Sequence, residues 1–151
     1  MNCRGFGGFI ILATLLASCG ETATTQDDPI RIGVVLSLSG ELASVGDHLS
    51  SSAQLAAREI NAAGGLLGGR PGELVVRDDR TSPDQAAVVT QQLLDDGVVA
   101  IVGSLASSAT ERTQALTAEA QVPQVSCCST SSRLTEVQGS GDERFLFRTA
   151  P

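Results

Sequence analysis

The sequence predicts an α/β fold, a doubly wound parallel sheet with helices on its faces. Three observations predict it. From Ile30 onward, short β-rich apolar runs alternate with stretches whose apolar residues recur at helical spacing. The breaks between them are short and rich in Gly, Ser and Asp. Helix-start signals fall where the alternation needs them, directly after the strands. Strand–helix–strand units in series imply parallel pairing, and right-handed crossovers carry the helices onto the sheet faces.

The elements follow in order. Ile30–Leu38 is a β-rich apolar run and the first strand. Leu49–Ala62 places Leu49, Ala53, Ala56, Ala57 and Ile60 on one helical face. Gly64-Gly65-Leu66-Leu67-Gly68-Gly69 is a turn-rich break, and Leu74–Val76 is the second strand. The second helix, Pro83–Asp96, has Ser82 as N-cap, Pro83 in its first position and Gln85 three residues after the cap. Val98–Val102 is the third strand. Ser108–Ala120 is the third helix, with Ser108 and Glu111 as a capping box. Pro123–Ser126 and Phe145–Phe147 complete the sheet.

The residues before Ile30 read as an export signal and a tether. Arg4 gives a positive start, Phe9–Leu16 an apolar stretch, and Ala17 and Ser18 are small residues before Cys19. The apolar stretch is too short to span a bilayer, which takes roughly 20 residues. Leu16-Ala17-Ser18-Cys19 matches a lipobox, so 1–18 is expected to be a lipoprotein signal peptide and Cys19 the lipidated residue. Gly20–Pro29 is polar and small, and completes a flexible tether spanning 19–29. The folded lobe is expected over 30–151, incomplete at its C-terminal end. The protein would be exported and held on the cell membrane or outer membrane, facing the periplasm or the exterior.

Composition excludes several function classes. A net charge of −7 argues against nucleic-acid binding or adhesion to anionic lipid. No Gly-x-Gly-x-x-Gly follows the first strand, and no Gly-x-x-x-x-Gly-Lys or Gly-x-Ser-x-Gly occurs. The sole histidine, His48, sits at a predicted helix start and is expected to be exposed. Metal ligands do not cluster, and Asp78-Asp79 reads as solvated carboxylates or helix-cap partners. An enzyme is therefore not expected, nor a cofactor or a metal.

In parallel α/β sheets, ligands bind beyond the carboxyl ends of the strands. The loops there are Ser37–His48, Asp78–Ser82, Gly103–Ser108 and Cys127–Ser132. The third runs straight into a helix, whose free N–H groups suit an anion, with Ser107 and Ser108 adding hydroxyls. The fourth, Cys127-Cys128-Ser129-Thr130-Ser131-Ser132, is small and polar enough to let a ligand touch backbone, and the Thr130 hydroxyl can donate or accept. Gly40 and Gly46 allow tight turns in the first loop, and Asp47 is placed to cap the helix after it. Cys127 and Cys128 read first as half-buried small residues, then as a disulfide to an outside partner. A bond between the two neighbours ranks last because its ring is strained.

These segments resemble the type I periplasmic binding proteins, in particular the leucine/isoleucine/valine-binding branch that serves ABC importers. The resemblance rests on Ile30–Gly40, Glu59–Gly68, Asp78-Asp79 with Ser82-Pro83, Ala100–Gly103 and Phe147–Pro151. It implies a two-lobed clamshell whose second lobe lies beyond this chain, and an amino acid gripped by the third and fourth loops. By position, Ser107 matches the carboxylate-binding serine and Ser108 its neighbour. Cys128 falls where a backbone carbonyl serves, and Thr130 where backbone and hydroxyl both serve. Val45 stands where an aromatic residue often packs on the ligand. The implied partners are an amino acid or similar small solute, ABC permease subunits, and a membrane through the lipid alone. One lobe cannot close on a ligand, so this polypeptide is expected to bind more weakly than micromolar, a level that needs about −8 kcal/mol. The alternatives are a ligand-sensing receptor lobe of the same fold, or a non-functional fragment. Neighbouring permease and ATPase genes would separate importer from sensor.

Overall fold

Ile30–Leu36 (β1) lies between two parallel neighbours, which is why Gly33, Val34, Val35 and Leu36 are all buried. The computed structural model describes residues 28–137 and 144–150. After β1 come α1 (Ala43–Ala62), β2 (Gly72–Asp78), α2 (Pro83–Asp95) and β3 (Ala100–Gly103). Then follow α3 (Ser107–Glu119), β4 (Gln124–Ser126), α4 (Arg133–Val137) and β5 (Leu146–Arg148). The strands form one five-stranded sheet in the order β2-β1-β3-β4-β5. Every strand pair is parallel. The doubly wound parallel α/β architecture expected from the alternating pattern is the architecture found.

Strand alternation divides the apolar residues between two layers. Val35, Val75 and Ile101 face α2 and α3, where they pack with Ala86, Val89, Leu93, Val98 and Ala109. Leu93 and Ile101 are wholly buried. Each such side chain contributes about 1.5–3 kcal/mol through burial. Ile32, Val34, Leu74 and Val102 face the other way, toward Ala53, Ala56, Ala57 and Ile60 of α1. That layer is looser: these residues line an apolar groove of about 240 Å³, and Ile60 stays 41% exposed.

Several elements differ from expectation, each for a tertiary reason. Helix α1 begins at Ala43 rather than Leu49. Gly46 is therefore not a loop hinge but a residue of its first turns, pressed against the end of β1. A Cβ there would lie 1.9 Å from the Ser37 carbonyl oxygen. Asp47 lies inside the helix and does not cap it; the N-cap is Leu42, with no side-chain hydrogen bond. The Ser108–Glu111 capping box does not form. Helix α3 starts at Ser107 behind Ala106, again with no side-chain cap, and Glu111 instead lies 3.8 Å from the Arg133 guanidinium. Helix α4 was not expected. Helix α2 opens as expected, its Ser82 hydroxyl accepting from the Gln85 N–H at 3.3 Å. His48 is exposed, also as expected. The signal segment, Cys19 and most of the tether lie outside the described residues.

Candidate functional site

The loops after β1 and β3 leave the sheet in opposite directions, because β1 leads outward to β2 and β3 leads the other way to β4. That reversal makes the carboxyl ends of β1 and β3 a switch point, where parallel α/β sheets place their ligand crevice. On one side of it, Asp78 at the end of β2 holds the loop after β1. Its Oδ1 accepts from the N–H groups of Leu38 at 2.9 Å, Ser39 at 3.1 Å and Arg80 at 2.8 Å. Its Oδ2 accepts from the Ser39 hydroxyl at 2.6 Å. Partial desolvation would raise the carboxyl's pKa. Bonds from the Ser39 hydroxyl and the Arg80, Leu38 and Ser39 N–H groups outweigh it and hold Asp78 below its ordinary value.

Asp79 is wholly buried, not solvated. Its Oδ1 accepts from the Ser37 hydroxyl at 2.6 Å and from the Thr81 N–H at 2.9 Å. The paired aspartates are thus loop staples. Among the described residues, no group of three His, Cys, Asp or Glu is placed to hold a metal ion.

The opposite wall is built by the loops after β3 and β4, locked together from beneath. Gly103 ends β3 with a φ of +123°, and a Cβ there would meet the Val35 carbonyl oxygen at 2.0 Å. Glycine alone lets β3 and β1 approach this closely at the crevice floor. The Gly103 carbonyl accepts from the Gln124 side-chain amide at 2.8 Å, and that same nitrogen donates to the Thr113 hydroxyl at 2.8 Å. Thr117 donates to the Gln124 Oε1 at 3.2 Å. Gln124, Thr113 and Thr117 are all buried, so these bonds satisfy a polar cluster that would otherwise carry a desolvation cost.

Above it, the Ser126 hydroxyl lies 2.9 Å from the Ser104 carbonyl and 2.9 Å from the Ser129 hydroxyl. The Ser129 N–H donates to the Ser126 hydroxyl at 3.2 Å, which folds the chain tightly around Cys127 and Cys128. At the rim, the Ser131 N–H donates to the Ser107 hydroxyl at 3.3 Å. Arg148 closes the back of the loop. Its Nη1 donates to the Ser129 carbonyl at 3.2 Å and the Ser131 carbonyl at 3.1 Å, and its Nη2 to the Thr135 hydroxyl at 2.6 Å.

Of the residues singled out by sequence, Ser107 and the loop bearing Cys128 and Thr130 are brought together on this wall. Ser107 and Cys128 are half-buried; Ser108 and Thr130 are exposed. Val45 lies on the first turn of α1 and is 44% exposed. Cys127 and Cys128 are unbonded and half-buried, as first expected, with their sulfurs 2.7 Å apart. Burial, with the neighbouring Cys128 side chain, pushes the Cys127 thiol up to about 11. Sequence reasoning missed Thr110, Gln124, Ser129 and Arg148 as the residues that position the loops. A long amide side chain in a β-rich apolar run was the one available signal, at Gln124.

Chemically, the wall offers a helix start without a side-chain cap, flanked by the Ser107 and Ser108 hydroxyls, for an anion, and loop carbonyls for a cation. It offers no nucleophile beside a base. Comparisons with known proteins agree with this character. The family model described as "Periplasmic binding protein" matches residues 29–151. The chain is 30% identical over 135 residues to the Leu/Ile/Val-binding protein of Escherichia coli K12, covering 89% of this chain and 35% of that protein. It is 32% identical over 126 residues to the Leu/Ile/Val-binding protein BraC3 of Rhizobium johnstonii, covering 83% and 34%. Among solved structures, the branched-chain amino acid transporter substrate-binding protein LivJ of Streptococcus pneumoniae, in complex with isoleucine, superposes with a TM-score of 0.73. It has 38% identity, over 80% of this chain and 33% of that one. The leucine-binding protein LivK of Thermotoga maritima gives a TM-score of 0.69 at 27% identity, over 79% and 32%. The chain spans about a third of the length of these relatives.

Proposed function

The chain belongs to the periplasmic binding protein family, and from that premise we propose that it is the N-terminal ligand-binding lobe of a lipid-anchored substrate-binding protein. Family and relatives are solute-binding proteins rather than enzymes, and their periplasmic setting supports an exported location. The proposed ligand is an amino acid, branched-chain or of similar size, delivered to the permease subunits of an ABC importer. Cys19 carries the anchor.

The observation that carries this reading is the Ser131 N–H to Ser107 hydroxyl bond, which joins the two loops into one wall. Helix α3 starts there without a side-chain cap, so its first N–H groups remain available to a carboxylate. Ser107 and Ser108 flank that carboxylate. The Cys128 carbonyl and the Thr130 hydroxyl accept from the α-ammonium. Val45, small for a position that faces a ligand side chain, leaves room for a branched aliphatic group. The helix-terminus contribution is modest, about 0.3–1 kcal/mol. This lobe alone therefore binds more weakly than micromolar, a level that needs about −8 kcal/mol.

The test is a titration of the isotopically labelled chain with leucine, followed by amide NMR shifts. The expected result is saturable movement of the Ser107, Ser108, Ala109, Cys128 and Thr130 amides. Leucinamide, which lacks the carboxylate, should leave the α3 amides still. Shifts confined to other strand ends, or equal responses to both compounds, would overturn the reading.

A further inference from the structure

We propose that Cys127 and Cys128 form a reversible redox pair that closes to a disulfide between the two neighbours. The proposal goes beyond ligand binding and rests on the reading above only for the compartment: an exported chain meets oxidising conditions.

The geometry is already assembled. The two sulfurs lie 2.7 Å apart. They sit on a turn whose ends are fixed, since the Ser129 N–H donates to the Ser126 hydroxyl and both serines are wholly buried. Once an external disulfide has captured one sulfur, a second sulfur held this close attacks it at a high effective concentration. Burial keeps Cys127 protonated at neutral pH, so its thiolate is scarce toward outside reagents. The first capture is therefore slow, and once it has occurred the neighbouring sulfur is the nearest nucleophile to complete the exchange. Metal binding does not explain the pair, because no third His, Cys, Asp or Glu among the described residues completes a site.

The bond is reversible for a covalent reason. Neighbouring Cα atoms are about 3.8 Å apart, whereas disulfide-linked Cα atoms ordinarily lie about 4.4–6.8 Å apart. The small ring that results is strained, and a strained disulfide is more easily reduced. The oxidant is an external disulfide, R–S–S–R. One cysteine, as thiolate, attacks it and displaces RS⁻, leaving a mixed disulfide. The second cysteine, losing its proton, attacks the first sulfur and displaces the other RS⁻. One Sγ–Sγ bond forms, one R–S–S–R bond breaks, and the two cysteine protons leave on two RSH. Closure would stiffen the backbone between Ser126 and Ser129, the segment that joins the β4 loop to Thr110 of α3.

The test uses the purified full chain incubated with oxidised glutathione, blocked with iodoacetamide and digested with trypsin. The peptide Thr113–Arg133 contains both Cys127 and Cys128 and no other cysteine. The expected result is an unlabelled peptide, lighter than the dithiol form by two hydrogens. After mild thiol reduction it should take two labels. Persisting double labelling, stable glutathione adducts, or a cross-link to another peptide would overturn the proposal. The readout needs neither ligand nor export, so its failure is distinct from failure of the binding reading. In Cys127→Ser, Cys128 should take a single label or adduct, which checks the assignment without altering the result for the parent chain.

Discussion

The Thr110 hydroxyl lies 2.7 Å from the Ser129 hydroxyl, and both residues are wholly buried. This contact links the first turn of α3 to the loop after β4, alongside the Ser107–Ser131 contact at the rim. Thr110→Val keeps the shape and removes the hydroxyl. It removes one of the contacts of the buried Ser129 hydroxyl, which keeps Ser126 and the Ser104 carbonyl, and costs about 0.5–1.5 kcal/mol, the scale of one net hydrogen bond. The expected outcome is a lower urea midpoint with an unchanged m-value. If the chain loses nothing measurable in a urea melt, the cluster is not holding the two loops.

Asp78 makes stability depend on acid pH. Its folded pKa is depressed below 3.8, chiefly because hydrogen bonds from Ser39, Arg80 and Leu38 outweigh desolvation. A depressed carboxyl contributes stability that is fully present above its unfolded pKa and is lost as pH falls through the folded value. Asp78→Asn keeps the shape without the charge. Wild type should therefore exceed the variant in denaturation midpoint at neutral pH, and the gap should shrink as pH falls below 3.8. A gap that is constant across this range would mean that the carboxylate charge is irrelevant to the loop.

How much of this was legible in sequence follows from the range of each interaction. Ser82 and Gln85 are three residues apart, and their cap was readable because the signal is local. The same rule failed at Ser108 and Glu111. Nothing local announces that Arg133 draws Glu111 away or that the Ser107 hydroxyl is engaged by Ser131. The early start of α1 was hidden for a similar reason. Gly46 looks like a turn residue until the Ser37 carbonyl is seen against it. The parallel sheet and the two serine-rich loops were readable, since alternation implies parallel strands and parallel strands put their following loops at one end. The buried polar layer of Thr110, Thr113, Thr117, Gln124 and Ser129 was not. Its members look like surface residues one by one, and become core only because they satisfy one another.

Cys19 gives a prediction that is independent of the fold. In a bacterial host, the full chain should incorporate labelled palmitate and partition with membranes. Cys19→Ser should abolish both and release the protein as a soluble or uncleaved form. Each buried methylene contributes about 0.8 kcal/mol, so acylation by two or three chains leaves little protein free. Label retained in Cys19→Ser would place the lipid elsewhere.

Arg148 tests whether the crevice wall is braced from behind. Its guanidinium reaches the Ser129 and Ser131 carbonyls and the Thr135 hydroxyl at once. Lysine keeps the charge but not the planar fork, and cannot serve all of these acceptors in one geometry. Arg148→Lys should therefore cost about 1 kcal/mol, the scale of a net hydrogen bond or two. The local effect should exceed the global one, because the acceptors lie on one loop and one short helix. Hydrogen exchange at the amides of Ser131 to Val137 should accelerate, while the amides of β1 and α2 keep their protection. Ser131 holds Ser107, so the leucine-dependent shifts of the α3 amides should weaken in the same variant. Uniform acceleration across the sheet would instead make Arg148 a general stabiliser with no particular bearing on the wall.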